Sequence, residues 1–202
     1  PVEEAPRERL DAGLPSGAKS QGLVLEAGPL PTPSLEELLS LDRPPGDSRC
    51  LVALDGVEDP QNLGAIIRVA EAAGAFGLVL TARRAPPLGA VVARASSGAV
   101  EHLPVSRVGN LRRSLDQLKK AGFWIIGADA HAGEDLFQTP DRIWQGDLVL
   151  VFGAEGRGLR RGVLEQLDHR VRIPTAGRVD SLNVAASAAV VVFEAVRRAR
   201  AE

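Results

Sequence analysis

Cys50-Leu51-Val52-Ala53-Leu54-Asp55-Gly56-Val57-Glu58-Asp59-Pro60-Gln61-Asn62-Leu63-Gly64-Ala65-Ile66-Ile67-Arg68 is the stretch on which the fold turns. A short apolar run ends at Leu54, a polar loop follows, and Leu63, Ile66, Ile67 and Ala70 then recur at helical spacing. That is a strand, a loop and an amphipathic helix in succession. Asn62 is placed to cap the helix, which runs to Ala73, with Gly74 closing it.

The same unit repeats downstream. Apolar runs rich in Val, Ile and Leu recur at Cys50–Leu54, Gly77–Leu80, Phe123–Ala128, Leu148–Phe152 and Arg170–Ile173. Helical patterns fill the gaps at Leu63–Ala73, Leu88–Ala95, Leu111–Ala121, Leu159–Leu167 and Leu182–Ala201. Short apolar strands alternating with helices predict an α/β fold, a mostly parallel sheet with helices on both faces. Ligands of such sheets bind beyond the carboxyl ends of the strands. The loops after Leu54, Phe152 and Ile173 are therefore where chemistry is expected.

Upstream, residues 1–49 read as a leader rich in Pro and Gly, with an extended run at Gly22–Glu26 and a short helix, Leu35–Leu41, capped by Ser34. The absence of methionine in 202 residues suggests a piece of something longer. Residues 1–47 hold nine acidic and four basic residues, a net of −5, and the rest nets +3. A mildly basic body permits a nucleic-acid partner without demanding one. Arg157, Arg160, Arg161 and Arg178 flank the expected site and are the expected phosphate contacts. With five Phe, two Trp and no Tyr, no base-stacking platform is visible. No apolar run approaches the roughly 20 residues of a membrane span. One cysteine and no zinc-spaced Cys/His set exclude an internal disulfide and predict no metal, in a cytoplasmic protein.

In the first loop, Gly64 lies in a helical turn, where it costs about 1 kcal/mol against alanine. Arg68 projects over it, and the missing side chain leaves room for a guanidinium or a ligand. A cap, a helix glycine and a surface Arg68–Glu71 pair account for the same residues. In the second loop, Phe152-Gly153-Ala154-Glu155-Gly156-Arg157-Gly158, the glycines have the wrong spacing for a dinucleotide fingerprint. Glu155 would also repel a pyrophosphate, so the loop suits a neutral or cationic ligand. In the third, Ser181 is a plausible N-cap, which leaves Asn183 in the first turn of a helix whose Ala185–Ala189 run permits close approach. Asn62, Arg68, Glu155, Ser181 and Asn183 thus gather at one sheet edge. His102, His131 and His169 fall outside the three loops and read as surface or structural residues, so a histidine-based triad is not expected.

The three loops resemble motifs 1, 2 and 3 of the SpoU (TrmH-type) RNA ribose 2′-O-methyltransferases of the SPOUT superfamily. Motif 1 is similar to Asn62–Arg68, motif 2 to Phe152–Gly158, and motif 3 to Ile173-Pro174, Gly177 and Ser181-Leu182-Asn183-Val184. Gly17-Ala18-Lys19-Ser20-Gln21-Gly22 also resembles the interdomain linker of the bacterial 23S rRNA guanosine 2′-O-methyltransferases. Ser20 stands where a histidine is usual in that group, and Thr175 where a methionine is usual.

The resemblance implies S-adenosylmethionine as cofactor, a C-terminal deep trefoil knot (the SPOUT fold) and a homodimer. It makes residues 50–202 a catalytic domain and residues 1–49 the linker from a missing N-terminal RNA-binding domain. It assigns catalysis to Arg68, Asn62, Glu155, Ser181 and Asn183, and cofactor contacts to Gly153, Gly158, Ile173 and Leu182. The implied substrate is a guanosine of 23S rRNA. The alternatives are a tRNA ribose, a non-catalytic RNA-binding relative, or, outside the family, a nucleotide-dependent oxidoreductase.

Overall fold

The fold is that of a computed structural model, which describes residues 2–14, 20, 22–25, 28–42 and 48–199. Seven strands form one sheet: β1 (Cys50–Asp55), β2 (Gly77–Thr81), β3 (Val105–Val108), β4 (Trp124–Ala128), β5 (Glu134–Asp135), β6 (Leu148–Gly153) and β7 (His169–Arg172). Their order is β3-β2-β1-β6-β4-β7-β5, and every pairing is parallel. The helices are α1 (Arg7–Ala12), α2 (Leu35–Leu39), α3 (Pro60–Ala72), α4 (Ala90–Ala95), α5 (Leu111–Lys120), α6 (Arg161–Leu164) and α7 (Val184–Ala199).

Alternation along the strands divides the core. Val52, Leu54, Leu78, Leu80, Ile126, Leu150 and Phe152 pack against α3, α4 and α7. Leu51, Ala53, Val79, Ile125, Val149 and Val151 pack against α2, α5 and α6. Successive side chains of a strand point to opposite faces, so a strand covered on both sides must be apolar throughout. The leader contributes to the second layer: Leu38 of α2 is wholly buried, and Ser34 and Glu37 form the reciprocal cap expected there.

Several expected boundaries move. β3 is absent from the pattern of apolar runs because Ser106 and Arg107 interrupt it. The helix expected over Leu159–Leu167 shortens to α6, and α1 has no counterpart in the sequence pattern. Asn62 is not the N-cap of α3. Asp59 is, accepting from the Gln61 N–H at 2.9 Å, with Pro60 opening the helix. Gly74 (φ 76°) does close α3: its N–H reaches Glu71 and that of Ala75 reaches Ala70. The linker residues Gly17, Ala18, Lys19 and Gln21, the end of the run at Glu26, Pro44-Pro45-Gly46, and residues 200–202 lie outside the described residues. Among the described residues no helix is long and apolar enough to cross a membrane.

The strand order positions the site. From β1 the chain moves outward to β2 and β3; from β6 it moves the other way, to β7. The loops leaving the carboxyl ends of the adjacent β1 and β6 therefore diverge, and a crevice opens between them.

Candidate active site

Three of the expected residues meet at that crevice. Asn183 donates its carboxamide N–H to Glu155 Oε1 (2.6 Å) and to Asn62 Oδ1 (3.0 Å), and Asn62 Nδ2 donates to the same Glu155 oxygen (3.2 Å). One side chain comes from the start of α3, one from the loop after β6 and one from the start of α7. Asn183, not Ser181, caps α7: its Oδ1 accepts from the N–H groups of Ala185 (2.9 Å) and Ala186 (3.3 Å). Ser181 precedes the helix. Because Asp59 caps α3 instead of Asn62, the Asn62 amide is free for the cluster.

An ion pair between a buried carboxylate and a half-exposed arginine holds the middle loop. Asp55, at the end of β1 and 1% exposed, accepts from the backbone N–H of Arg160 (2.8 Å) and from its Nε (2.6 Å). Gly153 is obligatory there, because a Cβ would collide with the backbone of Gly158 and Leu159. Gly156 and Gly158 take left-handed φ values of 76° and 62°. Gly158 N–H returns to the Ala154 carbonyl at 2.9 Å, closing a tight turn with Glu155 at its rim.

A cavity of about 760 Å³ lies under these loops. Its lining includes Gly153, Glu155, Gly158, Ile173, Thr175, Ser181, Leu182 and Asn183, which joins all four expected cofactor residues to three expected catalytic ones. Asn62 and Glu155 also line a smaller neighbouring cleft of about 390 Å³. A fourth loop contributes Asp129, Ala130 and His131 to the main cavity. His131 is exposed, as expected, and borders this cavity. β4 lies between β6 and β7, so its carboxyl end must open into the same space. Burial raises the Asp129 pKa, but the His131 N–H and the Arg170 guanidinium outweigh it and hold the carboxyl below its ordinary value.

Arg68 stands apart from the cluster. It lines neither cavity, it is exposed, and its Nη1 donates to Ser97 Oγ at 2.9 Å rather than pairing with Glu71. Gly64 does not clear a path for it. A Cβ at Gly64 would collide with the Ala95 side chain and sit 3.0 Å from the backbone of Ala95 and Ser96, so this glycine lets α4 pack on α3. The expected phosphate contacts Arg160 and Arg161 face carboxylates, Asp55 and Glu165. Asp55 is brought to Arg160 by folding, whereas Glu165 lies four residues from Arg161 on the same exposed helix face. Among the described residues no group of His, Cys, Asp or Glu could hold a metal.

Residues 49–193 match the SpoU rRNA Methylase family. Over 197 residues the chain is 38% identical to the YacO protein of Bacillus subtilis, named for the TrmH family of tRNA/rRNA methyltransferases, an alignment covering 98% of this chain and 77% of that protein. An AdoMet-bound rRNA methyltransferase from Sinorhizobium meliloti superposes with a TM-score of 0.72 at 33% identity, over 83% of this chain and 61% of that one. An RNA 2′-O ribose methyltransferase structure gives 0.68 at 34% identity, over 79% and 60%. The chain spans about three fifths of the length of these solved proteins.

Proposed function

The chain belongs to the SpoU rRNA Methylase family, and from that premise we propose that it transfers a methyl group from S-adenosylmethionine to a ribose 2′-hydroxyl of RNA, a guanosine of 23S rRNA before any tRNA. The observation that carries this reading is the hydrogen-bonded meeting of Asn62, Glu155 and Asn183 where the main cavity adjoins the smaller cleft.

The cavity suits the cofactor by its donor set. Ala128, Phe152, Ile173 and Leu182 give apolar walls for a purine, while Glu155 and Asp180 are carboxylates that attract a positive sulphur; Asp129 is paired with Arg170. Glu155 at the rim repels a pyrophosphate, and the glycine spacing of its loop is not that of a dinucleotide fingerprint, which counts against the oxidoreductase. Gly153, Gly158, Ile173 and Leu182 hold the cofactor in this reading. Bound there, S-adenosylmethionine supplies an electrophilic methyl group.

Asn62 and Asn183 fix Glu155 through Oε1, leaving Oε2 to accept the hydrogen bond of the ribose hydroxyl and then its proton. Ser181 and Asn183 hold the third loop against the ribose. Arg68 is acceptor-free and permanently charged. It lies outside the cluster with Nη1 on Ser97 Oγ, so in this reading it serves through its charge on the substrate side, favouring the developing negative charge on the attacking oxygen and the phosphate beside it. Positioning supplies much of the rate in such a site.

Two further expectations belong to this reading. Residues 173–183 carry the chain from β7 back across the carboxyl edge to α7 on α3, and we read this crossing as the trefoil knot. On α7, Ala186 and Phe193 are exposed with Ala189 and Val190 half-buried between them, a stripe fitted to a second copy in a homodimer. The setting is cytoplasmic. Calorimetry with S-adenosylmethionine and with NAD tests the cofactor: binding of the first alone supports the reading, and binding of NAD alone overturns it.

A further inference from the structure

The two halves of the carboxyl edge differ in charge. Around the cavity, each exposed arginine of the loops has a carboxylate close by in sequence: Arg157 follows Glu155, Arg178 precedes Asp180, and Glu58 and Asp59 line the adjoining cleft. Over β2 and α4 the reverse holds. No acidic residue occurs between Glu71 and Glu101. Within that span Arg83, Arg84 and Arg94 are exposed, and none faces a carboxylate among the described residues.

This half is also held in an unusual backbone conformation. The two non-glycine residues with left-handed φ among the described residues, Arg84 (65°) and Ser97 (52°), both lie here. Arg107 donates to the carbonyls of Ala85 (3.2 Å) and Pro86 (3.3 Å), and Thr81 Oγ1 donates to that of Arg83 (3.0 Å), so the loop is fixed from beneath. Backbone strain kept in place by such bonds is a mark of segments with a job to do. Ser97 is the residue that Arg68 grips. Arg68 therefore joins α3, whose start carries Asn62, to the end of α4, one turn beyond Arg94.

We infer that RNA leaves the site across the β2–α4 half of the edge, its phosphates seated on Arg83, Arg84 and Arg94, with Arg68 linking this track to the reacting ribose. The inference rests on the RNA substrate proposed above. A ribose within a strand at the Asn62–Glu155–Asn183 cluster has a phosphate on each side, so the chain must leave the site along the carboxyl edge in at least one direction. The cavity side presents both signs of charge, Arg157 and Arg178 among Glu155, Asp180, Glu58 and Asp59, whereas the α4 side presents arginine alone, which takes phosphate oxygens bidentately.

The test is fluorescence anisotropy of a labelled RNA stem-loop across a salt series, with cofactor calorimetry on the same samples. Replacing Arg83, Arg84 and Arg94 together by alanine should weaken RNA binding about tenfold or more and flatten the salt slope by about two. Cofactor affinity should not move. The triple lysine variant should keep most of the slope, because the contacts are to charge. Arg157→Ala with Arg178→Ala should cost less than the triple. If the unaltered chain binds and methylates RNA but the alanine triple behaves as it does, the track is wrong and the proposed activity stands. Loss of cofactor binding in the triple would make this face structural and overturn the inference. Failure of the unaltered chain to bind either RNA or cofactor would overturn both.

Discussion

The two ends of the strands both carry ion pairs, Asp55–Arg160 and Asp129–Arg170 bracing the carboxyl edge, but only that edge adds an amide–carboxylate cluster beside a cavity. At the amino edge charges are closed on one another. Arg49, just before β1, meets Asp147, just before β6, through its backbone N–H (2.7 Å) and its Nε (2.8 Å), and its guanidinium lies 4.5 Å from the Phe123 ring centre. Lys119 meets Asp168, whose carboxylate also takes the Ile125 N–H. At the carboxyl edge Asn62, Glu155 and Asn183 hold one another at the rim of a cavity, and Arg68 has a hydroxyl for a partner. Polar groups that satisfy one another stabilise; polar groups left able to take a new partner are available for chemistry.

Substitutions at the two ends should therefore separate turnover from stability. Arg68→Ala should cost methyl transfer about 10²–10³-fold, with cofactor affinity nearly unchanged, read from single-turnover rates and calorimetry. Arg68→Lys should recover little of this, since a point charge does not reproduce a forked donor. Asn183→Ala should cost turnover about tenfold to a hundredfold through misplacement of Glu155, and stability about 1 kcal/mol through loss of the α7 cap. At the other edge, Arg49→Met leaves Asp147 without its guanidinium. It should lower unfolding stability by about 2 kcal/mol in urea titrations and leave turnover intact.

The effect farthest from the reacting groups is on pH. Hydrogen bonds from Arg197 pull the Glu194 carboxyl down to about 2 against the upward push of burial, and Arg198 assists. A depressed carboxyl contributes stability above its ordinary value of 4.5, lost as pH falls toward 2. Arg198 ties this part of α7 to the Leu136 and Thr139 carbonyls, far from the reacting groups. Acid titration of unfolding should show this step, and Glu194→Gln should remove it.

Much of this was legible in the sequence, for identifiable reasons. Strands covered on both faces advertise themselves as apolar runs, and β1, β2, β4 and β6 did so. β3 did not, because Ser106 and Arg107 stand inside it. Asp59-Pro60 carries the signal of a helix start, so the cap read at Asn62 belongs to Asp59, while the place of Asn62 in the cluster is legible from its loop. Glu155 and Asn183 stood out as residues that fitted their local positions poorly. What local pattern does not contain is strand order. Nothing in Ala128-Asp129-Ala130-His131 announces that β4 lies between β6 and β7, so the fourth wall of the cavity was missed. Nor does it contain pairing across the fold: Arg160 read as a free cation until Asp55, 105 residues away, supplied its partner.

The central claim is that the cluster at the carboxyl edge serves transfer of a methyl group to a ribose. Its most direct test is mass-spectrometric mapping of 2′-O-methylated nucleotides in 23S rRNA from cells with and without the gene. The account predicts that one methylated ribose disappears on deletion and returns with the intact gene but not with Arg68→Ala. Unchanged ribose methylation in both rRNA and tRNA, or loss of a base methyl group instead, would contradict it.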